Sequence, residues 1–408
     1  MESLFKKTIL PNGMRIVTEY MPHVRSVSFG VWLQVGSRDE SDTSNGISHF
    51  MEHMVFKGTS NRTTAEIAES LESVGGNLNA FTGKEFTCYY AHILDENVDL
   101  AVNVISDLMC NALMNSDDIK KEKQVIIEEI NSLNDTPEEL IHEYFQENIF
   151  SDHPLSYSIL GEKQNILKFT RDQLVEYHTR RYINDNIVIS AAGNIRHEDL
   201  IESINRYFVL ESGVSPVRSN GLIKKSSQER VYKRAINQAH ICIGNTALSY
   251  SDKRKYTLLI LHSILGGGMS SRLFQNIREK YGVAYTIFSF ADFYLDTGLF
   301  GVYIGVDKSN IKKSIELIKR EFDTIINELV SERELNRYKS QLKGSLILGM
   351  ENTYSVMNRL ARMEIYLNNY ITLEKVIESI ESVTAENINT LARKYLSGDL
   401  CTTIITPN

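Results

Sequence analysis

No run of roughly 18 apolar residues occurs in the 408-residue chain, so nothing in it reads as a membrane span. The opening MESLFKKTILPNGMRIV has no long apolar core before a small-residue cleavage site, which argues against a secretory signal. It also lacks the Arg- and Ser-rich pattern of a transit peptide. Cysteine is scarce: Cys88, Cys110, Cys242 and Cys401 lie far apart in apolar surroundings. That spacing gives no disulfide framework and suits free, buried thiols in a reducing compartment such as the cytoplasm. An excess of positive charge is missing too. The formal net charge of −8 weighs against a nucleic-acid partner and not against basic peptides.

What is present is the composition of a soluble globular protein, 42% hydrophobic and 24% charged, in a chain long enough for two or more domains. The chain reads as two copies of one unit. RSVSFGVWLQVGS alternates Val27, Phe29, Val31, Leu33 and Val35 with smaller or polar residues, which predicts a half-buried strand. A turn-rich RDESDTSNG follows, then a helical segment around His49, a helix in TTAEIAESLESVGG, strand material in NAFTGKEFTCYYAHIL, and helices near 96–113 and 116–133. The second half repeats the order: QAHICIGNTALSYSD, KRKYTLLILHSILGGG, SSRLFQNIREKYG, TIFSFADFYLDTGLFGVYIGV and SNIKKSIELIKREFDTIINEL. The ends match best, TRDQLVEYHTRRYINDNIVISAAG from Thr170 against TAENINTLARKYLSGDLCTTIITP from Thr384. Two copies predict duplicated α+β domains, 1–214 and 231–408, each a largely antiparallel sheet packed against helices. The polar, Gly/Pro/Ser-bearing stretch 215–230 is the expected linker.

The chemistry concentrates in GISHFMEHMVF. On a helix His49 and His53 share a face, close enough for both imidazoles to reach one metal ion. Glu52 lies one residue off that face, placed to touch a water held there. This is H-x-x-E-H, the reverse order of H-E-x-x-H. A zinc site of this kind needs a third protein ligand and keeps one position for water. Acidic residues are plentiful in SDDIKKEKQVIIEEINSLND, where Glu122 and Glu129 fall on nearly one helical face and Glu128 about 100° away. The pattern leaves two readings open there: inward carboxylates that need a cation, or a solvated charged face.

A glutamate 76 residues after the last histidine of H-x-x-E-H resembles the M16 family of zinc peptidases, the inverzincins related to the mitochondrial processing peptidase. GGNLNAFTGKEFTCYYAHIL, EKQVIIEEI, HPLSYSILG and GGGMSSRLFQNIREKYGVAY resemble family segments in order, and the likeness to single-unit bacterial members spans the chain. The resemblance implies one Zn²⁺ per chain held by His49, His53 and Glu129, with Glu52 as general base and Glu122 supporting the ligands. It implies that Asn79, Ala80, Phe81 and Thr82 form an edge strand pairing an extended peptide. It implies that Arg278 and Tyr285 stabilise the oxyanion, delivered in trans within a homodimer that encloses a chamber. The corresponding positions of the second half fall near Leu259, His262 and Ser263, so His262 is read as a core or interface residue. Gly266–Gly268 resembles a family glycine-rich loop and equally suits a helix C-terminus.

The expected function is therefore a zinc-dependent metalloendopeptidase acting on peptides or unfolded segments, without nucleic-acid or membrane partners. The rivals are an inactive scaffold subunit, a non-proteolytic metal hydrolase, and the catalytic half of a heterodimeric processing enzyme.

Overall fold

The computed structural model describes residues 4–210, 213, 218 and 228–408. The chain folds into two compact units, neither continuous in sequence. The first comprises Met1–Asn131, Tyr157–Ser219 and Leu348–Tyr370; the second comprises Ser132–Ser156, Asn220–Ile347 and Ile371–Asn408.

In the first unit, β1 (Phe5–Ile9), β2 (Arg15–Tyr20), β3 (Ser26–Leu33), β4 (Asn77–Thr82), β5 (Thr87–Leu94) and β6 (Ile187–Gly193) form one sheet in the order β1-β2-β6-β3-β5-β4. In the second, β7 (Glu229–Arg234), β8 (Ala239–Ala247), β9 (Ala284–Phe293), β10 (Gly298–Val306) and β11 (Cys401–Pro407) are ordered β7-β11-β8-β10-β9. Without β1 the two orders are the same. Each sheet has one parallel pair, β2 with β6 and β7 with β11, and is otherwise antiparallel.

The helices are α1 (Ile47–Val55), α2 (Thr64–Glu72), α3 (Val98–Asn111), α4 (Ser116–Asp135), α5 (Pro137–Ile149), α6 (Lys163–Lys168), α7 (Arg171–Arg181), α8 (His197–Tyr207), α9 (Lys255–Gly266), α10 (Ile311–Asn327), α11 (Glu332–Gly349), α12 (Thr353–Leu367), α13 (Leu373–Glu381) and α14 (Ala385–Leu396). The matched chain segments start both α7 and α14 with a threonine cap. Thr170 accepts from Gln173 N at 3.3 Å and Thr384 from Asn387 N at 3.2 Å. Each helix leads to the strand inserted in mid-sheet, so duplicated α+β domains are the observed architecture.

Three details depart from the sequence reading. β3 is buried from Val27 to Leu33, not half-buried. Its odd residues face the main core, while Ser28 and Gly30 on the other face meet α12: Ser28 Oγ bonds Thr353 Oγ1 at 2.9 Å, and a Cβ on Gly30 would lie 2.9 Å from Met357 Sδ. Secondly, the units borrow helices along the chain. The late helix α12 packs on β2, β3 and β6, and its buried Glu364 takes Lys7 at 2.7 Å. The early helix α5 packs on β8 and β11, where Asn148 Nδ2 donates to Thr403 Oγ1 at 3.1 Å. Thirdly, none of the four cysteines is in a disulfide, as expected, but Cys110 is only half-buried. Of the expected linker 215–230, Arg218 and residues 228–230 are described, and Glu229 already opens β7; the remainder lies outside the described residues.

Candidate metal centre

α1 buries Ile47, Phe50, Met51, Met54 and Val55 in the core of the first unit. That choice of face turns His49, Glu52 and His53 the other way. The helix starts at Gly46, whose φ of +99° suits glycine and whose missing side chain cannot cap. The cap comes from Glu40. Its Oε1 accepts from Ser48 N at 2.8 Å, and its Oε2 accepts from Gly46 N at 2.8 Å and Asn45 Nδ2 at 2.9 Å. Burial nevertheless pushes the Glu40 carboxyl up to about 7, outweighing these donors. The sequence reading missed Glu40. The one available signal was a glycine at the cap position, which has no side chain to cap with; Ser44 and Asn45 just before it disguise that in the sequence.

α4 brings its carboxylates to this surface. Glu129 Oε2 lies 3.7 Å from His49 Nε2 and Glu129 Oε1 lies 3.6 Å from His53 Nε2. One ligating atom from each of the three residues falls within 4.8 Å of the others. These separations are too long for hydrogen bonds, so the donors converge without bonding one another. Glu122, 4% exposed, places Oε2 3.1 Å from His53 Nδ1 and receives Lys57 Nζ on Oε1 at 2.8 Å. Glu128 is exposed. The inward reading of the glutamate pair is the one realised.

Burial, with His53 close by, holds the His49 imidazole down to about 3, so the ring is neutral and has a lone pair to give. Its Nδ1 is buried without a hydrogen-bond partner among the described residues. Two imidazoles and a carboxylate converging in this way, one imidazole oriented by a second carboxylate, fit a zinc ion. Glu52 stands outside the trio. Burial raises its pKa, the hydroxyl of Thr82 donates to its Oε2 and opposes the rise, and Glu129 adds to it. Thr82 ends β4, which among the described residues pairs only with β5 and so lies at the sheet edge. Phe81 turns to the other face, edge-on to Trp32 with ring centroids 5.5 Å apart.

The profile of "Insulinase (Peptidase family M16)" matches residues 15–163, and that of the "Peptidase M16 inactive domain" matches residues 168–342. A Bacillus subtilis protein named "Uncharacterized zinc protease YmxG" is 38% identical over 407 residues, covering 99% of each chain. The chain belongs to peptidase family M16. A Rickettsia felis "Uncharacterized zinc protease" is 36% identical over 414 residues, covering 100% of this M16 chain and 99% of its own. The fold also matches the crystal structure of a protease from Helicobacter pylori (TM-score 0.91, 21% identity, 99% of both chains). A peptidase M16 inactive domain from Pseudomonas fluorescens matches with TM-score 0.93 and 17% identity, over 99% of this chain and 98% of that one.

The second unit of this M16 chain carries Arg278 and Tyr285. Arg278 sits on a π-helical turn, Phe274–Glu279, with its guanidinium 4.6 Å from the Phe274 ring centre and 5.8 Å from that of Tyr285. Tyr285 is 76% exposed on β9. Where Glu52 meets Thr82 in the first unit, the counterpart α9 offers His262, whose Nδ1 is 2.7 Å from Ser289 Oγ on β9. Among the described residues His49, His53 and Glu129 make the one metal-type cluster, so His262 is a tie between helix and edge strand. Gly266 closes α9 and Gly267 caps it, and a Cβ on Gly266 would lie 2.2 Å from Ser289 N. The glycine run is thus a helix C-terminus pressed against β9.

Proposed function

We propose that this chain is a zinc-dependent endopeptidase that cleaves peptides or unfolded segments laid along β4. The observation that carries the reading is the convergence of His49, His53 and Glu129 beside Glu52. These three would hold one Zn²⁺ per chain. When bound, the ion supplies Lewis acidity, polarising a peptide carbonyl and acidifying water.

The chain's own residues do the rest. Glu122 fixes the His53 ring through Nδ1 so that Nε2 points to the cluster. Thr82 aims the Glu52 carboxylate. Glu52 takes the proton from the attacking water and later delivers it to the leaving nitrogen. The open edge of β4, from Asn79 through Ala80 and Phe81 to Thr82, offers backbone groups to an extended substrate. Arg278 and Tyr285 would donate hydrogen bonds to the oxyanion from the partner in a homodimer whose facing shells enclose the substrate. On this reading residues 1–214 carry the chemistry and 231–408 form the metal-free counterpart. No helix among the described residues is long and apolar enough to cross a membrane, and four cysteines outside any disulfide suit the cytoplasm.

The test is elemental analysis of purified protein together with cleavage of a quenched peptide library. Stoichiometric zinc, cleavage abolished by a chelator, and a Glu52→Gln variant that keeps zinc but loses turnover are expected. Folded protein that takes up no metal, or Glu52→Gln cleaving at wild-type rate, contradicts the proposal.

A further inference from the structure

The turn between β4 and β5 is held by a buried ionic lattice that the peptidase reading does not use. Arg38 and Glu85 form an ion pair at 2.6 Å, with side chains 0% and 1% exposed. Arg218, from a stretch that reads in sequence as polar linker, joins it. Its Nε donates to Asp39 Oδ1 at 2.8 Å and its Nη2 to Asp39 Oδ2 at 2.7 Å, a two-pronged grip. The same Nη2 lies 2.7 Å from the carbonyl of Glu85, and Nη1 is 3.7 Å from the Glu85 carboxylate. One guanidinium thus bonds both the strap before α1 and the hairpin turn.

The strap and turn are already tightly joined. Arg38 N donates to Lys84 O at 2.8 Å, and a Cβ on Gly36 would lie 2.3 Å from Gly83 O, so only glycine allows the approach. Asp39 Oδ2 also accepts from Gly36 N at 3.0 Å, so the carboxylate gripped by Arg218 fixes the strap at that close point. The turn in question directly follows Thr82, the last residue of β4 and the donor to Glu52. In this lattice of two guanidinium and two carboxylate groups, Arg38 and Glu85 are buried and Arg218 and Asp39 largely so, and losing one cation weakens the pairing of its carboxylate.

We propose that Arg218 is a positioning residue for the peptide-pairing strand: by clamping Asp39 to the β4–β5 turn it sets the register and rigidity of the β4 edge. The claim rests on the peptidase reading for its kinetic consequence and not for its structural one. Trp32, the single tryptophan of the chain, packs edge-on against Phe81 of β4 and against Phe86 just after the turn, at 5.5 and 5.0 Å, and reports on the hairpin.

The experiment compares wild type with Arg218→Met and Arg218→Lys in the full-length protein. Three readouts are taken: KM and kcat on a quenched peptide, zinc content, and amide exchange at Gly83 (bonded to Phe86 O at 2.8 Å) with Trp32 emission. For Arg218→Met, KM rises about tenfold, the loss of one charge-assisted contact, while kcat and zinc stay near wild type. Gly83 exchange quickens and Trp32 emission shifts. Arg218→Lys keeps the charge without the fork and recovers only part of the KM. A variant with wild-type KM and wild-type exchange overturns the proposal. So does a fall in kcat alone, which marks general destabilisation. If Arg218→Met does not fold, Arg218→Lys decides by the same criteria. If wild-type protein cleaves nothing, the peptidase reading has failed, and the exchange and emission results still decide whether Arg218 sets the hairpin.

Discussion

Glu122 Oε2 lies 3.1 Å from His53 Nδ1, so a carboxylate on α4 dictates which ring nitrogen of an α1 histidine carries the proton. With Nδ1 protonated and donating, the Nε2 lone pair is left for the cluster formed with His49 and Glu129. Removing that charge while keeping the shape should loosen the metal site. Glu122→Gln is expected to bind zinc about 10- to 100-fold more weakly, as read by competition with a chromophoric chelator. Unchanged affinity would separate Glu122 from the site.

The Thr82 hydroxyl donates to the Glu52 carboxylate and so favours its ionised form, against the burial that raises its pKa. Thr82→Val removes the donor. The carboxyl then holds its proton to a higher pH, and the acid limb of the kcat/KM profile should move upward in pH from wild type. A downward shift or no shift would show that Thr82 does not tune the base.

Glu40 caps α1 from outside the helix. Glu40→Ala leaves the amides of Gly46 and Ser48 without this acceptor and should cost about 1–3 kcal/mol in urea unfolding of the metal-free protein.

The Glu40 carboxyl also imposes a pH dependence. Its folded pKa, pushed up to about 7, lies above the ordinary carboxylate value. Between those two values the unfolded chain has lost the proton and the folded chain has kept it, so stability falls as pH rises. Its stabilising share is complete below the ordinary carboxylate value and gone above about 7. Glu40→Gln cannot titrate. Its midpoint should fall less than that of wild type from pH 5 to pH 8, checked by parallel thermal melts of metal-free protein.

Assembly in trans has its own signature. Glu52→Gln lacks the base but keeps Arg278; Arg278→Ala keeps the base but lacks the arginine. Each alone should be nearly inactive. If the homodimer completes each site with the partner's arginine, remixing the two chains should restore about a quarter of wild-type activity through mixed dimers. No recovery under conditions of proven subunit exchange would place the arginine's action within one chain or nowhere.

Part of this was legible in the chain. His49 and His53 share a face by helical spacing alone, and α1 keeps them there. The repeat of Thr170 and Thr384 was readable because capping, a helix and the following strand are all encoded within some 25 residues. Apart from the extra β1, the sheet orders then agreed strand for strand. Burial on both faces of β3 was not read, since Ser28 and Gly30 look solvent-facing until α12 covers them; Trp32 on the same face was the overlooked sign that it is covered. Glu40 and Arg218 escaped notice for a related reason. Each acts on a segment that is not its own, one on a helix start several residues onward, the other on a hairpin distant in sequence.

The sequence by itself determined the local geometry: an imidazole pair one turn apart, a glutamate beside it, and a twice-used order of strands and helices. These follow from dihedral preference and hydrophobic period, which act over a few residues. Only the tertiary structure decided that Glu129 and not Glu128 meets the imidazoles, that β4 lies at an edge, and that helices from far along the chain complete each unit. Those outcomes depend on how buried faces close against one another, a free energy summed over contacts between distant segments that no short window of sequence contains.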